Sequence, residues 1–189
     1  MVVYVFETVI RGIKPYLQHH PRCIMKYAEF KKEQGRTAKP PPDVAAKWGV
    51  YENKEGPFIP QKHILGAILA IAADTKLQKM RGRAAYDLLR RSVEIVPIEI
   101  PLMRDGKRIT DYEINMEIAR VQSARIERAR PMFNLPWEAG LDIRYNFSMA
   151  SITVDEVKKI VIKSGDVGIG DWRPIYGQYN VDIVKVYEI

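Results

Sequence analysis

The chain has 189 residues but only one cysteine and three histidines. A lone Cys23 excludes a disulfide framework and a thiolate metal cluster. Metal sites need clustered ligands. His19 and His20 are adjacent and point apart in an extended segment, and His63 is remote in sequence. No metal or other cofactor is expected. Long apolar runs are also missing. The longest, Ile64 to Ala73, is far too short to cross a bilayer. The apolar start, Val2 to Ile10, is interrupted by Glu7, and no small-residue cleavage site follows it. The expected setting is therefore the reducing cytoplasm, with no membrane partner. Walker loops, nucleophile elbows and HExxH pairs are absent from the sequence. Gly168-x-Gly170 follows a helical pattern and precedes a strand, the reverse of the dinucleotide-binding order, so that fingerprint is rejected.

What the chain does have is positive charge. Its formal net charge is +7 and its pI about 9.4, a balance that favours a polyanionic partner. A hydrophobic content of 47% fits a packed core and argues against global disorder. The length suits a single domain, residues 1–189, with an inserted, partly mobile segment at 16–57.

The stretch Ile152 to Tyr187 organises the rest. Thr153 and Glu156 have capping-box spacing, and Ile152 and Val157 sit where a hydrophobic staple would be. Val154, Val157, Ile160 and Val161 form a helical stripe, with Lys158, Lys159 and Lys163 toward water. Gly165 reads as a left-handed stop. A loop punctuated by Gly168, Gly170 and Gly177 follows, then a strand with Tyr179, Val181, Ile183 and Tyr187 on one face.

Upstream, Val2 to Ile10 is a β-branched first strand. Cys23 to Glu33 is weakly helical, Gln34 to Pro42 is a basic, proline-rich loop, and Asp43 is placed to cap a short helix ending near Trp48. Ile64, Leu65, Ile68, Leu69, Ile71 and Ala72 form the core face of the strongest early helix. Gly66 and the neighbouring alanines would allow close approach to a sheet. Val93 to Ile100 is a strand that Pro97 demotes to an edge or bulge. A turn surrounds Asp105-Gly106. Residues 110–130 mix helix and strand signals. They read as strands from about 113 to 129, with Arg130-Pro131 as their end. In the strand Trp137 to Phe147, Leu141, Ile143, Tyr145 and Phe147 point inward. The order is strand, helix, strand, strand, helix, strand, with a central β-hairpin. It predicts an α+β, ferredoxin-like antiparallel sheet with its helices on one face.

The chemistry left is cations among aromatics. Trp172, Arg173 and Tyr176 lie between Gly168, Gly170 and Gly177, where glycine lets a backbone approach a ligand. Lys76, Lys79, Arg81 and Arg83 supply one basic segment, and Arg125, Arg128 and Arg130 another. Basic groups meet the backbone of a single strand, and aromatic faces stack its bases. The structural alternatives are a solvated charged helix end for the first segment, a core-anchor role for Trp172, and an Arg173–Asp171 pair. Trp172 fits either reading equally. Arg173 is favoured as a binding residue.

Three places carry a family resemblance. They are the first strand running into Gly12 and Pro15, the run Phe58-Ile59-Pro60-Gln61-Lys62-His63-Ile64-Leu65-Gly66-Ala67 leading into a helix, and the late Gly168-Ile169-Gly170 to Gly177 loop. Together they resemble the RAMP superfamily, the RRM-like backbone and RNA-processing subunits of CRISPR effector complexes. Hydroxyl residues common in that group's helix lead-in are replaced here by Lys62 and His63. The late loop is also similar to that of phage and prophage proteins ending in G-I-G-D-W-R-P, a glycine and a strand. The resemblance implies an RRM-like fold and binding of single-stranded RNA or DNA, with copies arranged as repeating protomers. The leading expectation is a non-catalytic single-stranded nucleic-acid-binding protein, associated with a phage or mobile element. The alternatives are a metal-independent endoribonuclease using a histidine base, and a structural or assembly protein of the same fold.

Overall fold

The computed structural model describes residues 2–77, 82–121, 124–150 and 152–189. Its elements are β1 (Val3–Gly12), β2 (Tyr16–Leu17), α1 (Arg22–Gln34), α2 (Pro42–Gly49), β3 (Glu52–Asn53), β4 (Gly56–Pro60), α3 (Gln61–Asp74), α4 (Arg83–Ser92), β5 (Val93–Val96), β6 (Glu99–Pro101), β7 (Met103–Arg104), β8 (Lys107–Arg108), β9 (Glu113–Val121), β10 (Ala124–Phe133), β11 (Glu138–Asn146), α5 (Val154–Val167) and β12 (Tyr179–Glu188).

The main sheet has six strands, all paired antiparallel: β12-β1-β11 runs on to β5 and, farther along the same edge of β11, to the β7–β8 hairpin. With α3 between β1 and β5, and α5 between β11 and β12, this is the ferredoxin-like arrangement expected from the element order. Alternation explains the core. Phe6, Ile10, Ala139, Leu141, Ile143, Tyr145, Val93 and Ile95 share one sheet face. They pack with Ile64 and Ile68 of α3 and Val157, Ile160 and Val161 of α5. The helix α5 begins as its sequence requires. Thr153 and Glu156 form the reciprocal capping box, and Ile152 and Val157 are both buried. Residues 113–133 form the β9–β10 hairpin, registered from Ala124↔Val121 to Met132↔Glu113. Its base pairs with β2.

Several local expectations are corrected. Gly165 does not stop α5. The helix continues to Val167, and Gly168 at φ 73° is the C-cap. Gly165 is instead a contact point, because a Cβ there would lie 1.9 Å from the Tyr179 carbonyl oxygen. Asp43 lies in the first turn of α2, whose N-cap is Pro41. Gly66 is exposed, and a Cβ at that position would have nothing within 4 Å, so it mediates no close approach. Arg130-Pro131 does not end its strand, because β10 runs to Phe133 and Pro131 sits opposite Ile114. Phe147 leaves β11 for a short 3-10 turn and is 41% exposed. Tyr187 departs from the face of Tyr179 and Ile183. The register shifts between Glu7 and Thr8, skipping Val184, so Tyr187 comes to pair with Val5 on the opposite face. Pro97 divides its strand outright: β5 pairs with β11, whereas β6 pairs with β4.

Gly165→Ala should lower stability by roughly 1–3 kcal/mol, because the new methyl collides with backbone that has no flexible end to yield. Urea titration of both proteins checks this, and an unchanged midpoint would mean that the α5–β12 seam is looser than described.

Candidate nucleic-acid interface

The glycine loop is built by backbone contacts. The Ile169 amide donates to the Gly177 carbonyl at 2.9 Å, the Gly177 amide to Pro15 at 2.7 Å, and the Asp171 amide to Leu17 at 3.0 Å. Gly170 and Gly177 have φ of 82° and 72°. A Cβ on Gly170 would meet the Leu17 oxygen at 2.1 Å, and one on Gly177 the Ile169 oxygen at 1.9 Å. At Gly168 the same test finds the Gly177 oxygen at 2.9 Å. The close approach that these glycines permit is therefore to the protein's own chain. It holds the loop against the segment after β1.

One face of the β9–β10 hairpin receives the loop. Arg128 and Arg130 lie opposite Glu117 and Asn115 on that face. Arg130 is 3% exposed. Its Nε donates to Asp171 Oδ2 at 2.5 Å, and its guanidinium lies 4.3 Å from the centre of the Trp172 ring. Asp171 thus pairs with Arg130. Trp172 is half-buried at φ 55°, a left-handed conformation rare for so bulky a residue. The Tyr176 hydroxyl donates to Glu117 and accepts from Asn115 Nδ2 at 3.2 Å. The bond to Glu117, then burial, raises its pKa. Arg128 Nη1 approaches His19 Nε2 at 3.4 Å, and burial lowers the His19 pKa, favouring the neutral ring that can accept.

Arg173 is exposed, and no salt bridge holds it among the described residues. Its charge, together with that of Lys62, reaches His63. Lys14 Nζ donates to the Pro174 carbonyl at 3.0 Å, so a further cation sits beside Arg173-Pro174. Sequence reasoning singled out neither Lys14 nor Lys62 as a binding residue. Their only signal was proximity to the Gly12–Pro15 and Phe58–Ala67 motifs. His63 itself is a poor base. Its Nδ1 is hydrogen-bonded to the Tyr16 hydroxyl at 2.9 Å. Burial, with Lys62 and Arg173 nearby, lowers its pKa to about 4. His20 Nδ1 accepts from the Arg22 amide at 3.0 Å, and its ring lies 4.4 Å from that of Tyr51.

Trp172, Tyr176, Arg128 and Arg130 therefore come together, with Arg173 next in the chain. The other basic segment does not join them. Lys76 is exposed beyond the C-terminal end of α3. Arg83 pairs with Asp87 at 3.0 Å and lies over Tyr86 at 4.9 Å. Gly82 neighbours the Ala73 carbonyl, whereas His63 occupies the first turn of the same helix. Ten helical residues separate those ends by about 15 Å. Lys79 and Arg81 lie outside the described residues, as does the side chain of Arg125.

The uncovered face of the main sheet is charged. It carries Glu7, Arg11, Glu94, Glu138, Asp142, Arg144, Asp182 and Lys185. Arg11 pairs with Glu138 and Asp182, and Arg144 with Glu94. Tyr187 is the one aromatic residue there among the described residues. Base stacking across this face is poorly supplied, whereas Trp172 and Tyr176 lie at the loop.

The geometry can be set against known proteins. No family model matches the chain, and no curated protein matches it. A solved structure, described as the cryo-EM structure of the Type III-B Cmr-beta bound to cognate target RNA, superposes with a TM-score of 0.58 at 12% identity. The match covers 100% of this chain and 61% of that one. The chain shares its fold with part of that structure. At this identity the likeness concerns the fold alone. Among the described residues, no helix is long and apolar enough to cross a membrane.

The His63 environment gives a pH prediction. Folding keeps its ring neutral, while the unfolded chain protonates it below about pH 6.5. Its contribution to stability is complete above pH 6.5, falls as pH drops toward about 4, and is level below that. The window amounts to roughly 3 kcal/mol. His63→Gln should flatten this part of the stability profile, and proton NMR should place the His63 midpoint near 4. A midpoint near 6.5 would contradict the buried Tyr16–His63 arrangement.

Proposed function

We propose that this chain is a non-catalytic protein that binds single-stranded RNA, with the whole chain acting as one RRM-like domain and residues 16–57 inserted after its first strand. The observation that carries the reading is the loop edge, where a half-exposed Trp172 adjoins an exposed Arg173 with Lys14 and Lys62 close by. A stacking face beside an exposed cation suits a strand with unpaired bases. The RAMP-like fold supports it, since the similar Cmr-beta structure is described as bound to target RNA. The G-I-G-D-W-R-P loop further supports a phage or mobile-element origin, and the family resemblance supports a cytoplasmic protein whose copies repeat along the strand.

Each phosphate neutralised on a single strand contributes about 0.7 to the slope of log K against log salt. Affinity for a short single-stranded RNA should therefore fall steeply as salt is added. Arg173→Ala should cost roughly 1.5–3 kcal/mol, about one to two decades in affinity, without changing the melting temperature. Fluorescence anisotropy on labelled RNA and DNA of the same sequence measures this. No binding of either at low salt would defeat the proposal, and cleavage of RNA in chelator that is lost when all three histidines are replaced would favour the endoribonuclease.

A further inference from the structure

We infer that Arg130 is a positioning residue: it fixes the Trp172 indole as a seat for an unpaired nucleobase and does not itself meet a phosphate. The inference rests on the single-strand-binding reading above and names which part of the nucleotide each group takes.

The sequence suggests that Arg130 is one more cation for a phosphate backbone. Its surroundings argue otherwise. At 3% exposure the guanidinium is closed to solvent. Its charge is engaged by Asp171 at 2.5 Å, and its plane is covered by Trp172 at 4.3 Å. Two carboxylates flank this place, Asp171 and, across the hairpin, Glu117. They would repel a phosphate but not the face of a base.

Stability does not account for the arrangement. Arg130 Nη1 is buried without a hydrogen-bond partner, and so is Oδ1 of Asn115, its opposite number in the β9–β10 ladder. Glu117 can only accept, so the Asn115 atom facing it is the amide nitrogen, which leaves the oxygen unpaired. A buried ion pair with an unsatisfied donor is often no more stable than a well-packed apolar side chain. A positive-φ tryptophan, by contrast, needs surroundings that hold it there. Arg130 supplies two such restraints, one through the preceding Asp171 and one through the indole face. The phosphate is left to the exposed side of the loop, where Arg173 adjoins Lys14.

The test compares wild type, Arg130→Met, Arg130→Lys, Trp172→Ala, Arg173→Ala and the Arg130→Met/Trp172→Ala double variant. Binding of a labelled oligouridine is measured across a salt series. Losing one stacked base weakens binding roughly 5–150-fold. Arg130→Met should match Trp172→Ala within that range, and the double variant should be no weaker than Trp172→Ala alone. Its salt slope should equal that of wild type, whereas Arg173→Ala should lower the slope by about 0.7. Arg130→Lys keeps the charge but loses the planar stack, so it should bind as poorly as Arg130→Met. If Arg130→Met does not fold, the lysine variant decides the question. A lower salt slope in Arg130→Met, wild-type affinity in Arg130→Lys, or additive losses in the double variant would overturn the inference. A readout without RNA separates this from the parent reading. In protein labelled with 5-fluorotryptophan, the Trp172 resonance should shift in Arg130→Met and Arg130→Lys while those of Trp48 and Trp137 stay in place. Failure of wild type to bind RNA, with that shift present, would remove the RNA reading but leave Arg130 as the fixture of Trp172. An unmoved resonance would remove the positioning role whatever RNA does.

Discussion

The contact on which this structure depends is backbone against backbone, where the Gly168–Gly177 loop lies on the segment that leaves β1. Pro15 and Leu17 each offer a carbonyl, and Gly177 and Asp171 supply the amides. No side chain larger than hydrogen fits at Gly170 or Gly177. The loop position in turn sets where Trp172, Arg173 and Tyr176 emerge, and it brings β12 back beside β1 at Tyr179↔Gly12. Gly165 extends the same principle into the last helix, whose backbone rests against Tyr179. The candidate interface and the hydrophobic core therefore share one seam.

That seam also explains a division of labour among the cations. Those turned toward the protein are used up. Arg130 holds Asp171 and Trp172, Arg22 donates to the carbonyls of Trp48 and Val50, and Arg104 to those of Asn134 and Pro136. Arg173, on the rim of the loop, is exposed and held by no salt bridge among the described residues. The sequence is equally basic in both groups, so net charge says little about where a polyanion would lie. Burial decides it, because a guanidinium removed from water must find its partners inside the protein.

The sequence carried the architecture well. Period-two and helical apolar patterns placed β1, β5, β11 and β12 of the main sheet and both helices that cover it, and the Thr153–Glu156 box marked the start of α5 correctly. Residues 113–129 were readable as strands despite their mixed helix and strand signals. Errors fell where a local signal had a second physical solution. Gly165 has the composition of a helix stop, yet a glycine inside a helix also allows another backbone to touch it. Tyr187 follows the alternation of Tyr179 and Ile183 until a bulge, which no pattern in β12 announces, turns it over.

The candidate interface was legible in part. Aromatic and cationic residues between glycines marked Trp172, Arg173 and Tyr176 from the sequence, because their neighbourhood is local. The sequence by itself determined the alternation, the cap and the glycines, and with them the ferredoxin-like layout, since these depend on residues a few positions apart. Only the tertiary structure decided that Arg130 is buried under Trp172, that Lys14 joins Arg173, that Glu117 takes the Tyr176 hydroxyl, and that Arg83 lies at the other end of α3. Each of these pairs residues far apart in the chain or on separate elements. Whether a charge is spent inside or left at the surface depends on which distant backbone and side-chain groups the fold brings within hydrogen-bonding reach.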